Sequence, residues 1–216
     1  MNHKYQKYID KKSVHHQWDV QKKPQKNIFD FIIAIPCYDE YDYLFETLKT
    51  INNQDQRLLQ NTLVSIVINN SDKEDQGIVD NNRKTLKKLL EYQCSYELVV
   101  VDAFSKDHAL NEKDAGVGMA RKISVDITLQ WSHPNSIVCF IDADTKLEKN
   151  YLLTIHSSHI KNQWDAATVN FKHSQDEPKT LDYINNYEKF LKETSMNLEK
   201  NNSPYSYVPL GSSMLC

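Results

Sequence analysis

Two aspartates spaced i, i+2, Asp142 and Asp144, follow directly on the apolar run Ile137-Val138-Cys139-Phe140-Ile141. A short β-branched and aromatic run of this kind predicts a strand buried on both faces. Side chains two apart on a strand share a face, so both carboxylates are expected on one side, near the strand's C-terminal end. Two bare carboxylates side by side repel unless a cation sits between them, and a divalent ion with oxygen ligands is the usual solution. The plainer alternative is that Asp144-Thr145 caps a following helix while Asp142 faces water.

The elements that must position these carboxylates follow from the periodicity of the rest of the chain. Strands are expected at 31–36, 64–68, 97–101 and 137–141, with a further one at 166–171. Helices are expected at 42–53, 76–92, 115–131, 147–161 and 180–199, each with apolar residues at helical spacing. Pro36 ends the first strand, because proline cannot donate to the ladder. Pro134 and Asn135 break the third helix ahead of the 137–141 strand. Repeated strand–helix alternation predicts an α/β fold, a Rossmann-like, mostly parallel sheet flanked by helices. Residues 1–27, rich in Lys, Gln and His, read as a polar N-terminal arm, mobile or forming a short surface helix docked through Trp18 and Val20. Residues 28–216 read as one domain. In the 180–199 helix, Leu181, Ile184, Tyr187, Leu191 and Leu198 are expected to face the core, with its Tyr and Lys residues able to shape a groove. Trp131 and Trp164 are expected in core or rim packing, and His173 as a structural polar residue or a group near a ligand.

In open parallel sheets ligands bind beyond the strands' C-terminal ends. Those ends are 36–40, 69–72, 102–105 and 142–145, all polar and nearly all carrying a carboxylate. A nucleotide is the default ligand of such a crevice, and its phosphates need either a glycine-rich loop or a metal held by carboxylates. The chain has four glycines. Gly116-Val117-Gly118 lies far from the third strand and lacks the third glycine of a dinucleotide fingerprint, and no Walker lysine motif is present. A dehydrogenase or P-loop NTPase is therefore disfavoured. A net charge of −3 without a basic stripe speaks against nucleic acid as a partner. No apolar run reaches membrane-span length and the N-terminus has no apolar core. The expectation is a cytoplasmic protein without a transmembrane segment, with peripheral contact at the inner face of a membrane left open. Cys37, Cys94, Cys139 and Cys216 form no CxxC and read as thiols in a reducing compartment.

Four blocks resemble the family-2 nucleotide-sugar glycosyltransferases of the A-type fold: IPCYDE at 35–40, GVGMARKIS at 116–124, FIDADT at 140–145 and VPLGSSML at 208–215. The resemblance implies transfer of a sugar, with inversion and metal dependence, from a nucleoside-diphosphate sugar to a hydroxyl acceptor such as a glycan or lipid-linked glycan. It implies that Pro36 and Tyr38 line the base pocket and that Glu40 lies near the ribose. Asn69 stands where the family usually has an aspartate, so an amide would meet the base. Arg121 would lie near the diphosphate or brace the D-x-D loop. Asp142 would contact ribose or metal, and Asp144 would be the principal ligand of Mn²⁺ or Mg²⁺. Gly211 and Ser212 would face the acceptor. The family's general base lies downstream of that last block, and Asp165, Asp176 and Glu177 lack its flanking pattern. The expectation is a chain incomplete at its C-terminus that binds a nucleotide sugar and transfers poorly. A non-catalytic nucleotide-sugar-binding fragment stands as the alternative, and a sugar-phosphate nucleotidyltransferase as a weaker one, since 37–40 lacks the glycines that class needs after its first strand.

Overall fold

The computed structural model describes residues 3–173, 181–207 and 211–216. Asp176, Glu177, Pro178 and the Val208-Pro209-Leu210 part of the closing block lie outside the described residues. The chain forms two compact units, Met1–Trp164 and Asp165–Cys216.

In the first unit the elements run α1 (His3–Lys11), β1 (Val20–Lys22), β2 (Phe29–Cys37), α2 (Tyr41–Asn52), α3 (Gln56–Leu59), β3 (Thr62–Asn69), α4 (Gln76–Glu91), β4 (Glu97–Ala103), α5 (Val117–Thr128), β5 (Ser132–Phe140) and α6 (Tyr151–Asn162). The strand order is β1-β4-β3-β2-β5. β2 pairs in parallel with β3 and with β5, and β3 with β4, in registers that set Ile33 beside both Val64 and Cys139. Every residue of β3 is buried, and every residue of β2 except Asp30. Helices therefore cover both faces, as the continuous apolar runs require. The chain moves outward from β2 through β3 to β4 and then returns to β2's other side for β5. That reversal leaves a crevice at the strands' C-terminal ends.

Residues 1–27 carry α1 and β1. β1 pairs antiparallel with β4 and covers an edge that would otherwise present unpaired backbone groups. Trp18 packs against the core cluster and its indole N–H donates to the His108 carbonyl at 2.8 Å. Lys22 donates to the carbonyls of Leu89 and Tyr92, closing the C-terminal end of α4. The α1 segment is held by Asp126 on α5. One Asp126 carboxylate oxygen accepts from the Tyr8 hydroxyl at 2.7 Å, and the other from Val14 N–H at 2.9 Å and Lys122 Nζ at 2.7 Å.

Three expected boundaries shift. β5 begins at Ser132, earlier than Ile137, and includes Pro134. Between Ser132 and Ile137 it spends four residues against one, Asp30, on β2, so the proline sits in a bulge where no ladder donor is needed. The helix expected at 147–161 begins at Tyr151, because 141–150 forms a loop stitched to the polar face of α2. α5 stops at Thr128 and tightens into a 3₁₀ turn, Leu129–Trp131, with Trp131 packed on the core. Trp164 meets the His159 ring edge-on at 4.8 Å. Cys37, Cys94, Cys139 and Cys216 form no disulfide.

In the second unit, β6 (Ala167–Thr168) pairs antiparallel with β7 (Met214–Leu215), and α7 spans Leu181–Lys200. The strand expected at 166–171 is only two residues long. The α7 stripe expected in the core is not there: Leu181, Ile184, Leu191 and Leu198 are half-buried and Tyr187 is exposed. The buried residue of α7 is Glu188, whose carboxylate accepts from the His173 backbone N–H at 2.8 Å, contacts its Nδ1 at 3.1 Å and pairs with Lys192. Those partners satisfy the carboxylate, and His173 serves there as a structural polar group.

Asp126 has one of the most heavily used carboxylates in the first unit. Replacing it with Ala leaves the Val14 N–H without its acceptor and takes one partner each from the Tyr8 hydroxyl and Lys122, which remain bonded to each other. The expected cost is about 1–3 kcal/mol, read from urea unfolding; a loss below about 0.5 kcal/mol would contradict the anchoring role.

Candidate active site

A cavity of about 570 Å³ opens at the C-terminal ends of β2, β3 and β5, a size ordinary for small-molecule sites. Pro36, Tyr38, Glu40, Asn69, Arg121, Asp142 and Asp144 all line it. Gly211 and Ser212 belong to the second unit, in the 3₁₀ turn Gly211–Ser213.

The two aspartates arrive differently from a simple strand alternation. β5 ends at Phe140, and Ala143 and Asp144 lie in a turn closed by Thr145, whose N–H donates to the Asp142 carbonyl at 3.1 Å and whose Oγ1 accepts from Asp142 N–H at 3.2 Å. The loop is held from below by α2. Thr47 Oγ1 donates to the Ala143 carbonyl at 2.7 Å, Thr50 Oγ1 accepts from Leu147 N–H, and Gln54 bridges the Glu148 carbonyl and Leu152 N–H. Thr47 and Thr50, three apart, share one face of α2, and Gln54 lies just past its C-terminal end. The N-cap of α6 is Asn150, so Asp144-Thr145 caps no helix.

Within the cavity the aspartates part company. Asp142 Oδ1 accepts from Arg121 Nη2 at 2.5 Å, whereas Asp144 is exposed and pairs with no cation among the described residues. Glu40 lies close enough to feel both. Burial first, and then the charges of Asp144, Asp39 and Asp142, raise its pKa. Tyr38 is 44% exposed and its ring is open to a ligand. Burial and the neighbouring Glu74 carboxylate push its hydroxyl pKa up.

Asn69 is 3% exposed, and its Oδ1 has no hydrogen-bond partner among the described residues. A buried acceptor left unpaired costs about 1–3 kcal/mol, which a ligand N–H in the cavity would recover. Its neighbour Asn70 donates to the Ser71 and Phe104 carbonyls and accepts from Asn82. Asp102, at another polar strand end, accepts from the N–H groups of Phe104 and Ser105, so that carboxylate shapes a turn and does not line the cavity.

Asn70, Ser71, Glu74, Ala115, Gly116, Val117 and Ala143 complete the lining. Glu74 sits just past the polar strand end at 69–72, and a reading that ran a few residues further would have included it. Gly116, at φ +153°, is the N-cap of α5 and carries no side-chain cap. The first N–H groups of α5 thus open at the cavity wall with the positive end of the helix dipole behind them.

No family model matches the chain, and no curated protein matches it. Among solved structures, S. aureus TarS 1–349 in complex with UDP-GlcNAc is similar with a TM-score of 0.50 and 18% identity, over 69% of this chain and 36% of that one. The same protein in complex with UDP gives 0.51 and 18%, over 69% and 37%. The fold is of the glycosyltransferase A type. A looser likeness, TM-score 0.46 and 19% identity over 79% and 42% of the two chains, is to the mannosyltransferase PcManGT from Pyrobaculum calidifontis in complex with GDP-Man and Mn²⁺. The chain spans just over a third of the length of the TarS 1–349 structures.

Among the described residues of this A-type fold, no group of three or more His, Cys, Asp or Glu is set to hold a metal. Mg²⁺-like ions bound through a phosphate ligand need only one or two protein carboxylates, with phosphate and water oxygens completing the shell. The uncommitted Asp144, with Glu40 and Asp142 beside it, meets that requirement.

A carboxyl whose pKa is raised in the folded state stabilises the fold below the ordinary carboxylate range, and that contribution is lost as pH rises. Glu40→Gln keeps the shape and removes the like-charge repulsion. It is expected to be more stable than wild type at about pH 7 and to lose that advantage near about pH 4. Urea unfolding in EDTA at the two pH values checks this; an advantage as large at the lower pH contradicts it.

Proposed function

We propose that the cavity binds a nucleoside-diphosphate sugar and that the chain is the donor-binding part of a glycosyltransferase. One observation carries the proposal: a single cavity, at the strand ends of an A-type fold, joins an open aromatic ring, an unsatisfied buried amide and an unpaired carboxylate. That TarS, of the same fold, is in complex with UDP-GlcNAc supports the class of ligand.

In this proposal Pro36 and Tyr38 line the base, with the Tyr38 ring against its face. Asn69 meets the base edge and takes an N–H into Oδ1. Glu40 lies by the ribose. The 2.5 Å pair favours Arg121 as the brace of Asp142 over a direct diphosphate ligand. Asp144, with Asp142 alongside, would hold Mn²⁺ or Mg²⁺, which supplies neutralisation of the charge on the departing nucleoside diphosphate. The uncapped end of α5 adds a positive potential at the cavity wall. Transfer to a hydroxyl acceptor, a glycan or lipid-linked glycan, would then proceed with inversion. The proton acceptor of that step is assigned to none of the cavity's residues. No helix among the described residues is long and apolar enough to cross a membrane.

Calorimetric titration with UDP-GlcNAc and GDP-mannose, with and without MnCl₂, tests the proposal. One of them is expected to bind, and more tightly with Mn²⁺. Asp144→Asn is expected to weaken the Mn²⁺-dependent binding by on the order of 2–4 kcal/mol. Binding that ignores Mn²⁺, or an unchanged affinity in the variant, would remove Asp144 from its role.

A further inference from the structure

Asn82 lies wholly buried in the interior of α4, outside the cavity lining. Asparagine is a poor helix-interior residue, and a buried amide is costly unless its polar atoms are paired. Here the pairing runs to two strand ends directly and a third through Asn70. Asn82 Oδ1 accepts from Asp39 N–H at 3.1 Å, just beyond β2. Its Nδ2 donates to Asn70 Oδ1 at 2.9 Å and to the Asn69 carbonyl at 3.4 Å, at the end of β3. Asn70 passes the connection to β4: its Nδ2 donates to the Phe104 carbonyl at 3.2 Å, its N–H to the Ala103 carbonyl, and its own carbonyl accepts from Leu110 N–H at 3.0 Å. The adjacent Asn81 Oδ1 accepts from Tyr41 N–H at the start of α2.

Asp39 gives this network its consequence. It has φ +58°, in the left-handed region that an L-residue occupies only at a cost. Its neighbours on either side, Tyr38 and Glu40, both line the cavity, while Asp39 itself does not. The bond from Asn82 holds the N–H of the residue that takes this turn. At β3 the same side chain occupies Asn70 and the Asn69 carbonyl, while the Asn69 side chain is left without a protein partner for Oδ1.

We propose that Asn82 is the positioning residue of the cavity: it sets Tyr38 and Glu40 through Asp39, and Asn69 through Asn70. What it positions for, a nucleoside diphosphate, rests on the function proposed above; that it orders the two loops does not.

The test pairs hydrogen exchange with nucleotide binding. In Asn82→Leu, of the same branched shape but without polar atoms, the amides of Asp39 and Leu110 are expected to lose their protection while core amides such as Ile33 and Ile66 keep theirs. Affinity for UDP or GDP in MnCl₂ is expected to fall about tenfold or more. Glycine takes positive φ without help. Asp39→Gly alone is therefore expected to leave affinity within about twofold, and, added to Asn82→Leu, to restore part of the loss. A merely structural role would not give that rescue. If Asn82→Leu does not fold, the smaller and polar Asn82→Ser takes the same measurements. Retained protection at Asp39 and Leu110 overturns the proposal, as does wild-type affinity in a variant whose loops have opened. If the wild type binds neither nucleotide, the donor proposal fails by itself. The exchange measurement then still decides whether Asn82 orders the loops: loss supports it and retention overturns it.

Discussion

β2 and β3 are buried on both faces, and this burial confines the polar chemistry of the first unit to the strand ends. Every residue of β3 is buried, and along β2 every residue but Asp30. Ligand-facing groups therefore collect where the strands stop, and the reversal of strand order at β2 opens a space there. Each strand end then needs its own means of turning the chain while leaving some polar atoms free. β2 uses Pro36 and the left-handed Asp39, β3 the Asn69-Asn70 pair, and β5 the turn closed by Thr145.

At every one of these ends, some polar groups hold the loop and others are left for a ligand. Asn70 and Asn69 are adjacent and chemically identical, yet one is saturated with protein partners and the other keeps an orphan acceptor. Asp142 is paired with Arg121, whereas Asp144 has no ion pair among the described residues. The raised Glu40 pKa reports how closely the negative charges gather. In the proposed reading, a bound cation would relieve the repulsion among these carboxylates.

The first 22 residues add a second constraint. β1 closes the β4 edge, and Trp18 fixes the His108 carbonyl in the loop leading to Ala115 and Gly116. Asp126 and Lys122 tie α1 to the face of α5 that the cavity does not use. A stretch that is polar and weakly periodic in sequence thus steadies the loop and the helix that form one wall of the cavity. Its partners lie 67 to 118 residues away, beyond the reach of local pattern.

Local patterns were enough to determine the main strand–helix alternation and the polar character of the strand ends, and the family resemblance added the candidates Pro36, Tyr38, Glu40, Asn69, Arg121, Asp142 and Asp144, which line one cavity. Burial on both faces writes itself as continuous apolar runs, and a strand end writes itself as proline, asparagine or aspartate. Tertiary structure alone decided which of these groups remain available. Asp102 looks like Asp142 in sequence, but its carboxylate is consumed by two backbone N–H groups. Arg121 binds Asp142 across 21 positions, Pro134 finds a bulge, and the stripe on α7 stays out of the core. Asn82, one asparagine among several in a polar helix, becomes a junction of three strand ends only when α4 packs against them. Periodicity encodes burial along one element; a hydrogen-bond partner on another element exists only once packing has brought the two together.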